Sequence, residues 1–362
     1  MNPKSISILL FFFMMLTNGE LSFSQPYDFN CYCVTTVSTP DNIVQLDNNE
    51  ELLLALQVPQ TLSQLKEKGL TFSQSQIRLL LDWQLIEETD DVYQTAFPIL
   101  DSAKTTDLRK RMKEHAGTTL TQLIGKMGEV KSILRKSGRE KTAYTILFSY
   151  VLDNLVWDQF ENEKILKPAK NTIEHPFWDG TFWGVIPKRE IFCGTNSISD
   201  KGYSLKINWA PPVIPLMKPF VMDWKNQMKM FDEFVSLGKV IDPQAKAVFE
   251  PFRIFDAEGR PTVPIITESP DNPLYQSCLE LAKMVSQRFI DEIQRSDLVS
   301  SIGCNNQEQA LVIAYHEWMW EFLDMGEAKG LIAKPLAFAH PDKAASSDIG
   351  DLIFLVKQPS SK

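Results

Sequence analysis

His316-Glu317 lies inside an apolar run of helical length (AYHEWMWEFLD) and comes nearest in this chain to the vocabulary of a hydrolase. A zinc-binding helix of that type needs a second His four residues after the first, because positions i and i+4 share a face. Position 320 is Trp, and Glu321 falls about 140° further round the helix. The pair could still act as base and acid with a carboxylate brought in by folding. The bland alternative is a partly buried, hydrogen-bonded His. A second candidate is aromatic. Phe177–Trp183 (FWDGTFW) reads as a two-residue hairpin with a primed turn at Asp179-Gly180. In that register Trp178 and Trp183 share one side and could stack on a sugar, peptide or lipid. Burial of both faces is the alternative. His175 and His340 each precede Pro and read as turn residues; His115 reads as exposed among charges. With four His and no Ser, Cys or phosphate-loop signature, no metal site and no cofactor are expected.

The chain begins with the layout of an export signal. Lys4 gives a positive start, Ile6–Leu16 is apolar, and Ser22-Phe23-Ser24 offers small residues before a cut at Gln25. That run is too short to span a bilayer, and no other segment is long enough. The expectation is an exported protein, periplasmic or extracellular, with no membrane span after cleavage. Five Cys remain. Cys278 reads as a buried small residue, and Cys31, Cys33, Cys193 and Cys304 could form up to two disulfides whose pairing is open.

The net charge is −9, from 37 Lys and Arg against 46 Asp and Glu, which argues against general nucleic-acid binding. One stretch runs the other way. Residues 101–141 hold eleven Lys or Arg against five Asp or Glu. It reads as a solvated helix face, or as a contact for an acidic surface on the second half of the chain or on a partner.

The elements that must position these residues occur twice. Leu108, Met112, Ala116, Leu123, Ile124 and Met127 align with Leu274, Cys278, Ala282, Phe289, Ile290 and Ile293, 166 residues on. Pro98-Ile99-Leu100 aligns with Pro264-Ile265-Ile266 at the same shift, and residues 143–168 align with 310–335 at a shift of 167. Markers in one order at nearly one offset point to a tandem duplication. Each copy predicts a short helix (near Ser73–Leu85 and Pro243–Phe252) and a strand–turn–strand (Leu85–Phe97 and Ile254–Ile266). A long amphipathic helix and a further helix follow (Thr142–Phe160 and Gln307–Met325). Leu62–Lys66, a turn at Gly69, a Ser73 cap and the hairpin resemble a winged-helix domain of the helix-turn-helix class, as, less fully, do Phe231, Phe234, Gly238 and Asp242. That likeness implies DNA binding. The would-be reading helix, however, carries only Arg78 and Asp82, and its copy Lys246 and Glu250, too few groups to read a groove.

The expected fold is α+β: two tandem related units, mainly helical with small hairpins, winged-helix-like, joined by a Pro-rich strap. The segments are a signal at 1–24, an N-terminal segment at 25–45 and unit one at 46–200. A connector at 201–225, unit two at 226–357 and a tail at 358–362 follow. The strand Tyr203–Trp209 alternates cleanly with its apolar side inward, and the prolines of 210–219 predict an irregular, packed strap. The expected function is non-catalytic binding or scaffolding through the groove between the units, with an unknown protein or small molecule as partner. The alternatives are an exported hydrolase using His316 and Glu317, and a DNA-binding regulator.

Overall fold

A computed structural model describes residues 27–189, 193–200 and 202–357. The segments expected to be an export signal and a tail lie outside the described residues. The fold is α+β, with three small sheets among many helices. Strand β1 (Asp28–Thr35) leads into helices α1 (Pro40–Val44) and α2 (Asn49–Ala55). Then come β2 (Gln60–Thr61), α3 (Leu62–Glu67), α4 (Gln74–Asp82), β3 (Ile86–Thr89), β4 (Val92–Thr95) and β5 (Ile99–Leu100). The 35-residue helix α5 (Ser102–Lys136) follows. Next are α6 (Ala143–Thr145), a π-helix (Ile146–Leu155), α7 (Val156–Asn162) and β6 (Trp178–Val185). The rest of the chain runs through β7 (Gly194–Asp200), β8 (Tyr203–Trp209), α8 (Ile214–Met222), α9 (Trp224–Leu237), α10 (Pro243–Phe249) and β9 (Ile265–Thr267). It ends with α11 (Pro273–Arg295), α12 (Leu298–Ile302), α13 (Gln307–Ala328), α14 (Leu336–Ala339) and β10 (Ile353–Lys357).

Local chemistry explains most boundaries. Thr61 and Ser73 each form a reciprocal capping box, with Gln64 and Gln76. Asp101 accepts from the Lys104 amide at 2.8 Å and starts α5. Its apolar residues recur three or four apart, from Leu108 and Met112 to Val130 and Leu134, and all four are buried. Asn272 accepts from the amides of Leu274 and Tyr275, and Pro273 occupies the first helical turn of α11. Asp90 and Asp91 both take positive φ in the β3–β4 turn, as a primed hairpin requires.

Two of the sheets are wired alike. In the first, β6 pairs antiparallel with β1 and parallel with β5; in the second, β10 pairs antiparallel with β8 and parallel with β9. The Gly184 amide donates to the Pro98 carbonyl at 2.9 Å, and the Leu355 amide to the Pro264 carbonyl at 3.0 Å. The second sheet carries one extra strand, β7, on β8. So β1, read from sequence as part of a separate N-terminal segment, completes the first sheet, and β7, assigned to unit one, belongs to the second.

Between the sheets, the helices cross from half to half. α5 packs chiefly on α13 and α11, while α11 packs on the π-helix and α7. One apolar core therefore contains Leu108, Leu123 and Tyr150 from the first half with Phe289, Tyr315 and Trp318 from the second. A smaller core lies under each peripheral unit: one around Leu52, Leu80 and Phe97, the other around Met217, Phe231 and Phe249.

Several expectations need correction. Phe177–Trp183 is not a hairpin; residues 178–185 form one continuous strand along β1. Gly180 sits inside it at φ +137°, where an added Cβ would lie 2.2 Å from the Tyr32 carbonyl oxygen. The Asp-Gly pair thus serves a close backbone approach, not a turn. The second predicted hairpin shrinks to a single bridge, Phe255 to Pro261, because Pro261 and Pro264 lack the amides a ladder needs. The Pro-rich strap is helical: Pro211–Val213 makes one 3-10 turn and α8 follows. Pro211, Pro212 and Pro215 fall in first turns, where no amide donor is required. The five Cys are unpaired.

Candidate functional site

Among the described residues the two buried charged side chains, Glu317 and Lys206, lie where a sheet meets a helix from the opposite half. At the first junction α13 crosses the sheet of β1, β6 and β5. Amphipathic patterning turns His316 and Glu317 inward from that helix. Glu317 is 5% exposed. It accepts from Arg109 Nε at 2.8 Å and from Arg189 Nη2 at 2.7 Å and Nε at 3.0 Å. Arg189 also reaches Glu321 at 2.9 Å, and Arg109 donates to the Pro187 carbonyl at 2.8 Å. Burial pushes the Glu317 carboxyl up, but the two guanidiniums outweigh it and hold it below the usual range. Such a carboxylate is a poor proton acceptor. His316 is half-buried among Tyr32, Trp157 and Trp183, with the Trp183 ring 4.9 Å away. Its Nδ1 bonds the Val312 carbonyl at 2.8 Å, and burial pushes its pKa down to about 4. The pair predicted as base and acid is brought together, with both members already engaged.

The two Trp predicted as a binding pair are separated. Period-two alternation along the continuous strand puts them on opposite faces. Trp183 enters the central core at 1% exposure. Trp178 turns to the first peripheral core, where its Nε1 donates to the Trp83 carbonyl at 2.6 Å. His115 is half-buried against Phe289 and Trp318 and not exposed among charges. His175 and His340 are exposed.

At the second junction the π-helix crosses the sheet of β8, β10 and β9. Phe354 holds the position of Trp183 relative to the matched carbonyl bond, and the Tyr150 ring lies 6.0 Å from it. Tyr150 OH donates to Glu268 Oε1 at 3.0 Å. Opposite Phe354 in the ladder is Lys206, 8% exposed. Its Nζ donates to Asn154 Oδ1 at 2.8 Å, and among the described residues no carboxylate is in ion-pair contact with it. Burial lowers its pKa, against the longer-range pull of Asp153, Asp158 and Glu268. Burial likewise pushes Asp153 up to about 6, although Trp157 Nε1 donates to it at 3.3 Å. Sequence reading missed this group. The alternation of β8 put Tyr203, Leu205, Ile207 and Trp209 inward, which made Lys206 an outward residue. Both faces of that strand are covered, and nothing in a period-two pattern announces the second cover.

The basic stretch of α5 meets acids of the second half. Arg109 binds Glu317, Arg111 Nη2 lies 2.8 Å from Asp297, and Lys126 Nζ lies 2.5 Å from Glu280. The remaining feature is a surface cleft between the halves. The first hairpin and its exit supply Gln57, Glu87, Gln94 and Phe97, α5 supplies Lys104, and the α12–α13 turn supplies Gly303 and Asn305. No group of three or more His, Cys, Asp or Glu among the described residues could hold a metal ion. No helix among them is long and apolar enough to cross a membrane. The chain matches no family model, no curated protein and no solved structure.

Proposed function

We propose that this chain is an exported, non-catalytic binding protein built from two related, winged-helix-like units, and that it holds its ligand in the cleft between them. The observation that carries this reading is the cleft itself. Its walls come from both halves, and it presents Glu87, Gln94 and Lys104, whose side chains form no hydrogen bond or ion pair with any described residue. A polar or zwitterionic small molecule, or a short peptide, would satisfy them. The duplicated reading draws support from the matched sheet connectivity and the paired carbonyl bonds at Pro98 and Pro264.

The hydrolase alternative loses its motive at Glu317, whose charge two arginines already neutralise. The DNA-binding alternative is weakened by charge. Arg78 on α4 is paired to Asp82, and the wing carries exposed Glu87, Glu88, Asp90 and Asp91. These would repel phosphates.

Thermal shift measurements with a panel of amino acids, dipeptides and monosaccharides test the proposal. A ligand that binds only the folded state raises the melting temperature. At least one compound should stabilise the protein, and Asn305→Trp, which fills the cleft, should abolish that shift. Stabilisation that survives Asn305→Trp, or turnover of a substrate lost in His316→Ala, would contradict it.

A further inference from the structure

The two junctions treat their buried charge differently. At the first, each guanidinium finds carboxylate oxygens. At the second, Lys206 is buried, and among the described residues it has no ion-pair partner and donates one hydrogen bond, to a neutral amide oxygen. Keeping an unpaired ammonium there is costly, so the surroundings favour the uncharged amine. Uncharged lysine amines are nucleophiles. The backbone beside it is a ten-residue π-helix that carries Asn154, its hydrogen-bond partner, and Asp153, whose charge acts on it through space. Widened turns of this kind recur at functional sites. The cluster is open along one edge: Asp153, Asn154, Glu268 and Tyr275 are half-buried and Asp158 is exposed.

We infer that Lys206 is a reactive amine that captures small aldehydes or ketones as an imine. The nitrogen lone pair forms a bond to the carbonyl carbon, and the C=O π pair moves to oxygen, which takes up a proton. The nitrogen then loses its protons as the oxygen departs as water. One amine and one carbonyl give one imine and one water, with no change of oxidation state. Asp153 holds its proton to about pH 6 and can pass it to the departing oxygen. Glu268, which acts on Lys206 through space, accepts a hydrogen bond from Tyr150 at 3.0 Å. This site is separate from the cleft and stands whether or not the cleft binds a ligand.

The test uses the intact folded protein with propanal and sodium cyanoborohydride at neutral pH. Modification of each lysine is followed by peptide mass mapping at low conversion. Lys206 should be alkylated several-fold faster than the exposed lysines, because a more weakly held proton leaves more free amine at neutral pH. Addition of urea to the point of unfolding should remove that advantage. If Lys206 reacts no faster than the exposed lysines, or stays protected until the chain unfolds, it is a structural residue and the inference is wrong.

Discussion

The two helix–sheet junctions share their backbone wiring and differ in how their polar groups are satisfied. At the first, Glu317 receives hydrogen bonds from Arg109 and Arg189, and the second arginine continues to Glu321. Every charge has a partner, which is what a buried cluster needs if it is to hold two halves together. At the second, Tyr150 donates to Glu268 while Lys206 rests on Asn154. The same scaffold thus carries a closed, self-neutralising network on one side and an incompletely paired one on the other. The first looks inward to stability, and the second keeps chemical potential in reserve.

The comparison can be broken most sharply by removing one charge from each side. Glu317→Gln leaves two buried guanidiniums short of a counter-charge and should cost about 3–5 kcal/mol. Lys206→Met replaces a buried amine that has no ion-pair partner among the described residues with an apolar chain of similar length and should be neutral or stabilising by roughly 1 kcal/mol. Urea unfolding midpoints read both values. Equal losses in the two variants would show that the junctions do not differ.

Effects smaller than that of Glu317→Gln sharpen it. Tyr150→Phe deletes one hydrogen bond to a carboxylate and should cost about 1–3 kcal/mol, clearly less than Glu317→Gln. A loss as large as that of Glu317→Gln would place Tyr150 in a network as essential as the first. The smallest effect lies in the acid limb of stability. His316 stays neutral down to about 4 when folded against 6.5 ordinarily, so the unfolded chain binds more protons in that window and stability falls as pH falls. Asp153 is raised from 3.8 to about 6, so the folded chain binds the extra proton and stability rises as pH falls. Between about pH 4 and 6 the two oppose each other. Asp153→Asn removes only the second, and the variant should lose stability more steeply than the parent on acidification. Parallel curves would contradict this assignment.

Much of the architecture was legible in residue order. The amphipathic spacing from Leu108 to Met127 announced α5, and Ser73 and Asn272 marked helix starts. What pattern could not show was long-range. Nothing local reveals that α13 lies on the sheet of the other half, so the partners of His316 and Glu317 were not readable. The Asp179-Gly180 pair carried a true signal for positive φ, but its use inside a strand depends on how near β1 comes. Prolines 211–219 were read as breakers although most fall where helices tolerate them. Residues 146–155 (ILFSYVLDNL) are too few for their apolar spacing to distinguish a π-helix from an α-helix.

The account rests on two halves that exchange helices around one shared core. A protease site placed in the connection between Val185 and Gly194 allows the folded chain to be cut at that point. After cleavage the two pieces should remain together at the full mass in native chromatography and part only in denaturant. If they instead separate into two folded monomers, each half carries its own complete core and the exchange described above does not exist.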